Sequence, residues 1–147
     1  MKRLAVVLLI TVLAFLTACG AEDPTPVPPV SLGLTATDIA FDITRLAVMA
    51  GQPVRLTLNN EGALEHDFSI MEMPVAGDVR ADEVEAEMPG HDMGSMEEEP
   101  EIHVAAPMNG SNTIEFTPSE SGEYTYFCTV AGHKEAGMVG TLVVQAP

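Results

Sequence analysis

The residues best able to do chemistry in this 147-residue chain are Cys128, His133 and Met138, each five positions after the last. Thiolate, imidazole and thioether together form a soft donor set that suits copper cycling between Cu(I) and Cu(II). Zinc would use the thiolate and the imidazole but has no use for the methionine. Cys128 alone leaves three readings open: a packed thiol, an intermolecular link or a metal ligand. A metal site needs a third strong donor, and the remaining histidines are His66, His91 and His103. Of these only His66 opens a strand-like run directly after a tight turn, which would fix it to a folded scaffold.

Such donors need a rigid frame, and from Leu32 onward the dominant period is two. Expected strands are Leu32–Thr37, Ile39–Thr44, Val54–Asn59, Asp67–Met71, Asn112–Phe116, Gly122–Cys128 and Val139–Gln145. Arg55-Leu56-Thr57-Leu58 and Thr113-Ile114-Glu115-Phe116 alternate polar and apolar, as half-buried strands do. The turn chemistry of Ala50-Gly51-Gln52-Pro53, Asn59-Asn60-Glu61-Gly62 and Pro118-Ser119-Glu120-Ser121-Gly122 separates them. Many short strands so punctuated indicate an all-β sandwich or barrel. His103 is expected at a strand start with no metal role. Neither a Ser/His/Asp arrangement nor a phosphate-binding glycine loop is visible, so no enzyme is expected.

The run Asn60-Glu61-Gly62-Ala63-Leu64-Glu65-His66-Asp67-Phe68, followed by Gly122-Glu123-Tyr124-Thr125-Tyr126-Phe127-Cys128, then Gly132-His133 and Gly137-Met138-Val139-Gly140, resembles a cupredoxin. These are the small blue copper proteins typified by plastocyanin, azurin and auracyanin. The resemblance covers roughly Leu32 to Val144 apart from an acidic insert. It implies a Greek-key β-sandwich of eight strands with one type 1 copper at one end, and transfer of single electrons. It further implies His66, Cys128 and His133 as equatorial ligands and Met138 as the long axial one. The Cys-to-Met loop is longer than plastocyanin's and closer to the auracyanin type. His133 would be the more exposed ligand. One departure concerns Asp67, where plastocyanin and azurin usually carry an Asn whose side chain braces the cysteine loop. Asp67 has no amide donor, so that brace should be altered or replaced. An ionised carboxylate close to the metal would favour Cu(II) and lower the reduction potential.

Net charge narrows the partners. Six Lys+Arg against twenty-two Asp+Glu give −16, which excludes nucleic acid, since phosphate binding needs a basic face. The same charge excludes electrostatic adhesion to an anionic membrane. Yet Met1-Lys2-Arg3 and the apolar run Leu4–Leu16 read as an export signal. Thirteen helical residues cover about 20 Å, too short for a hydrocarbon core of about 30 Å. The signal ends in Leu16-Thr17-Ala18-Cys19, which resembles the lipobox of bacterial lipoproteins; an ordinary secretory signal with an incidental cysteine is the alternative. Cleavage before Cys19 removes Lys2 and Arg3, leaving four basic against twenty-two acidic residues, a net charge of −18. Acyl chains on Cys19 would then anchor what charge repels. Four prolines between Pro24 and Pro29 make an extended tether. The expected organisation is a signal over 1–18, the lipidated Cys19 with its tether over 19–30, and one domain over 31–147. A monomer is expected, tethered outside the cytoplasm and exchanging electrons with redox proteins that carry a basic docking face. A copper chaperone or storage module is the alternative.

The insert, about 73–101, breaks the strand rhythm. The span Glu72–Glu101 holds eleven acidic residues and a single Arg80, half of all the carboxylates in the chain. A solvated acidic loop is the plain expectation, with a short helix over Ala81–Met88 as an option. Within it Met88, His91, Met93 and Met96 could capture copper weakly, or serve as no more than a flexible polar stretch.

Overall fold

The computed structural model describes residues 27–82 and 98–147. The lipobox-like segment with Cys19, most of the tether, and Met88, His91, Met93 and Met96 lie outside those residues. Ten strands follow in order: β1 (Val30–Thr37), β2 (Ala40–Phe41), β3 (Arg45–Met49), β4 (Val54–Asn60), β5 (His66–Ile70), β6 (Arg80–Ala81), β7 (Ile102–Ala106), β8 (Ser111–Phe116), β9 (Gly122–Phe127) and β10 (Val139–Gln145). They form two five-stranded sheets, ordered β2-β1-β4-β8-β6 and β3-β10-β9-β5-β7. The all-β sandwich expected from the sequence is therefore present. Alternation predicts the layers: β4 buries Val54, Leu56, Leu58 and Asn60 and exposes Arg55 and Asn59. Leu34, Leu56, Leu58, Phe68, Ile114, Tyr126 and Leu142 fill the space between the sheets.

One expectation fails in an instructive way. The strand expected over Ile39–Thr44 is only the short β2, and β3 begins just beyond it in the other sheet. Asp42 is tied back to β1, its carboxylate accepting from Thr35 N–H at 2.7 Å. The next carbonyls already belong to the second sheet: Ile43 C=O accepts from the Tyr126 hydroxyl and Thr44 C=O from Thr141 N–H. The chain changes layers across these few residues, and no hydrophobic period reports such a crossing. Of the acidic insert, residues 83–97 lie outside the described residues, so only the start of the helix option over Ala81–Met88 is seen. Ala81, where a helix was one option, lies in β6, which pairs with β8 at Glu115 and Ile114. Met73 is buried and Val75 and Val79 pack against the core, so the start of the insert is packed on the sandwich. β3 and β7 were not expected from periodicity at all. His103 does fall near a strand start, second in β7.

Tyr126 fastens the crossing to the core. Its ring packs edge-on to Phe41 at 5.3 Å and against Phe68 at 5.0 Å. Burial, with the negative charge of Asp42 nearby, pushes its hydroxyl pKa up to about 12 from 10. A phenol that holds its proton more tightly in the folded chain stabilises the fold below pH 10 and loses that contribution as pH rises through about 12. Tyr126→Phe should cost about 1 kcal/mol at neutral pH through the lost bond to Ile43. In urea titrations the advantage of wild type over this variant should shrink between pH 10 and 12. A constant difference across that window would show that the hydroxyl titrates normally.

Candidate metal centre

His66 is the first residue of β5, where the Asn60–Gly62 turn delivers it. Asn60 is itself buried and organises the turn: its amide donates to the carbonyls of Leu64 at 2.7 Å and Ala106 at 2.9 Å. Its carbonyl oxygen accepts from Gly62 N–H at 2.9 Å. Gly62 lies flat on the imidazole; a Cβ there would stand 2.6 Å from His66 Nε2 and 3.2 Å from the Thr37 carbonyl carbon. That nitrogen is buried without a hydrogen-bond partner among the described residues. Its orientation is thus set by packing and leaves Nδ1 as the free donor.

The other candidates lie on the turn between β9 and β10. Cys128 directly follows β9, and its N–H donates to the Met138 carbonyl at 3.2 Å, closing the base of the loop. Inside it, His133 N–H donates to Val130 C=O at 3.0 Å and Met138 N–H to His133 C=O at 2.9 Å. Gly137 has φ of +101°, a left-handed turn that admits no side chain cheaply and directs Met138 inward, where it is fully buried.

The two segments converge. One donor atom each from His66, Cys128 and His133 lies within 4.8 Å of the others, and all three residues are buried. Cys128 Sγ sits 3.8 Å from His66 Nδ1 and 3.7 Å from His133 Nδ1, so the two imidazoles present the same nitrogen to the sulfur. Their ring centroids are 5.0 Å apart. His133 retains 7% exposure where His66 has none, in agreement with its expected position nearer the surface. His91 and the three methionines around it fall outside the described residues, and His103 stands apart from the cluster.

Electrostatics favour a cation at this point. Burial, reinforced by the Asp67 carboxylate, pushes the Cys128 thiol up to about 12. A thiolate here is costly unless a positive charge faces it. His66 is shifted down, first by burial and then by His133, which keeps it the neutral imidazole that a metal requires. A thiol, an imidazole and a buried methionine on one loop, with a second imidazole from β5, fit copper better than any hard cation.

Asp67 settles the question of the missing amide. Its carboxylate accepts from Thr129 N–H at 2.9 and 3.0 Å and from the Thr129 hydroxyl at 2.8 Å. The cysteine loop is therefore braced after all, through an acceptor in place of a donor. Ser69 adds a further bond at 2.7 Å and itself contacts His103 Nδ1 at 2.9 Å. A Ser/His/Asp group thus exists where the sequence showed none. Its order is not that of a nucleophile triad, because the buried hydroxyl donates to the carboxylate and gives no proton to the imidazole. Asn60, Ser69 and His103 are the supporting residues that sequence reasoning missed. Only Asn60, in its turn run, carried a local signal.

Residues 28–145 match the family described as copper binding proteins, plastocyanin/azurin family. The chain is 33% identical over 107 residues to the copper-resistant cuproprotein CopI of Rubrivivax gelatinosus, which covers 71% of this chain. It spans only 59% of that relative's length. Auracyanin-A of Chloroflexus aurantiacus is 32% identical over 126 residues, or 78% of this chain and 73% of the relative. The solved structure of auracyanin A, a blue copper protein from a green thermophilic photosynthetic bacterium, superposes with a TM-score of 0.60. That alignment has 29% identity and covers 80% of this chain and 100% of the other. The chain belongs to the plastocyanin/azurin family of copper-binding proteins.

Gly62 offers a test of the packing that aims His66. Gly62→Ala drives a methyl group into the ring and should weaken copper affinity about 10- to 100-fold, as changes that misorient a ligand do. Competition titration with a chelator reads the loss. Unchanged affinity would mean that the ring is not held by Gly62.

Proposed function

We propose that this chain carries single electrons through one type 1 copper held by His66, Cys128 and His133, with Met138 as the weak axial donor. The observation that carries the reading is the convergence of the three buried donors within 4.8 Å on elements already locked by the fold. Bound copper supplies a one-electron couple between Cu(I) and Cu(II). The protein's part is to keep the donors still. His66 is pinned by Gly62, Cys128 by its bond to Met138, and the start of the loop by Asp67, so gain or loss of an electron need move few atoms. His133, the less buried imidazole, is the residue a redox partner would approach. The family resemblance and the likeness to auracyanin A support this carrier reading.

Two further observations support a second reading, copper storage or delivery to another protein. Relatives of this chain are named for copper resistance, and Met88, His91, Met93 and Met96 supply soft donors that a carrier does not need. The readings separate by what leaves the protein. A carrier should reduce an oxidised partner while its copper stays bound through gel filtration, with the thiolate-to-Cu(II) colour returning on reoxidation. Cys128→Ser should abolish both the colour and the electron exchange. Transfer of the metal to an apo-acceptor, faster than electron exchange, would establish delivery instead.

The protein works outside the cytoplasm on this proposal, attached through lipid on Cys19 and held off the membrane by the prolines that follow. Its docking partner bears a basic face, since the chain carries a net charge of −16, and the protein acts as a monomer. Cys19→Ala should move the protein from the membrane fraction to the soluble one, or leave an unprocessed precursor. A wild-type protein already wholly soluble would remove the anchor from the proposal.

A further inference from the structure

Pairing of β5 with β7 sets Ser69 opposite His103, and its pairing with β9 sets Ser69 opposite Phe127. Continued by two residues, the second register sets Asp67 opposite Thr129. Side chains at directly opposed and alternate positions share a face of the sheet. Asp67, Ser69, His103 and Thr129 therefore come together on the side of β5 away from Phe68 and Ile70. Asp67 and Ser69 are fully buried there.

A hydroxyl has one proton, and an ionised carboxylate only accepts. Ser69 gives its proton to Asp67 Oδ1 at 2.7 Å, so in its 2.9 Å contact with His103 it must accept. That requires the proton of His103 to reside on Nδ1. The bonds then run in one direction, from His103 Nδ1–H to Ser69 Oγ–H to Asp67. Asp67 Oδ2 lies 3.6 Å from Cys128 Sγ.

From this geometry we infer that Ser69 and His103 are positioning residues for the copper site, acting through the Asp67 carboxylate on the thiolate of Cys128. The inference rests on the proposed ligation by Cys128. Each bond in the chain draws negative charge away from the carboxylate oxygens and holds them against Thr129. Polarised bonds in a row strengthen one another. Without Ser69, Asp67 would present more uncompensated negative charge beside the sulfur and favour the doubly charged copper.

The test uses the full copper-loaded protein and its metal-free form. Ser69→Ala should raise the relative affinity for Cu(II) over Cu(I) a few-fold and at most about tenfold, which lowers a one-electron potential by at most about 59 mV. Ser69→Thr, which keeps the hydroxyl, should stay at the wild-type potential. His103→Phe should shift in the same direction by less, and His103→Asn, which keeps a donor near the Nδ1 position, should not. Because the route from His103 to Asp67 runs through Ser69, the double variant Ser69→Ala/His103→Phe should match Ser69→Ala alone. In metal-free protein, nitrogen NMR should place the His103 proton on Nδ1, and Ser69→Ala should speed hydrogen exchange at the Thr129 amide. Unaltered potentials, additive shifts in the double variant, or a His103 protonated on Nε2 alone would each overturn the relay. Absence of a thiolate–Cu(II) band in wild type would instead refute ligation by Cys128, and the two metal-free measurements would still decide the relay.

Discussion

A fully buried carboxylate next to a fully buried thiol is the constraint around which this end of the sandwich is organised. Burying an ionised carboxylate costs several kcal/mol, roughly, unless hydrogen bonds satisfy its oxygens. Asp67 meets that condition with a backbone amide and two hydroxyls, and those bonds come from the loop that carries Cys128 and from the neighbour on its own strand. Carboxylate and cysteine loop therefore hold each other in place. A like charge on the sulfur would upset the balance, and accordingly the thiol resists ionisation when no cation faces it. The same acidic neighbour that braces the loop thus makes the site demand a positive ion.

The donors come from two distant parts of the chain. Cys128 and His66 are 62 residues apart, while Cys128 and His133 are 5 apart. The loop alone can bring a thiol, an imidazole and a thioether near one another, but the second imidazole arrives only when β5 has paired with β9. Metal affinity is therefore tied to completion of that sheet, and copper binding adds its free energy to the fold. The opposite sheet contributes through packing: β1 lies beside the Asn60 turn, and the Thr37 backbone backs the glycine that presses on His66.

What the sequence made legible was local. The Cys–His–Met spacing, the glycines before His133 and Met138, and the turn ahead of His66 are all short-range patterns, and the structure draws His66, Cys128 and His133 together. The alternation of Arg55–Leu58 and Thr113–Phe116 likewise marked strands. What escaped depended on register. Arg45–Met49 is hidden because the chain crosses between sheets just before it, and of Ile102–Ala106 only a strand start at His103 is legible. The Ser69–His103 contact spans 34 positions and exists only through the pairing of β5 with β7. The brace at Asp67 was legible only in part for a related reason. Its lost amide donor was visible, but Thr129, which supplies the donors, is neighbour to it in space alone.

The arrangement also bears on the choice between carrying electrons and delivering metal. A site assembled before the metal arrives needs little rearrangement when its charge changes, which favours rapid exchange of electrons. The same preorganisation strengthens binding, since less conformational entropy is lost on association. Release would have to break contacts made by at least two elements at once, with Asp67 and Gly62 opposing any rotation of the ligands. A protein built to give up copper would gain from further soft donors, such as Met88, His91, Met93 and Met96 could provide, and would gain nothing from a braced buried thiol. The rigid centre and the methionine-rich insert therefore answer to different demands, and a chain that does both tasks would do them at different places.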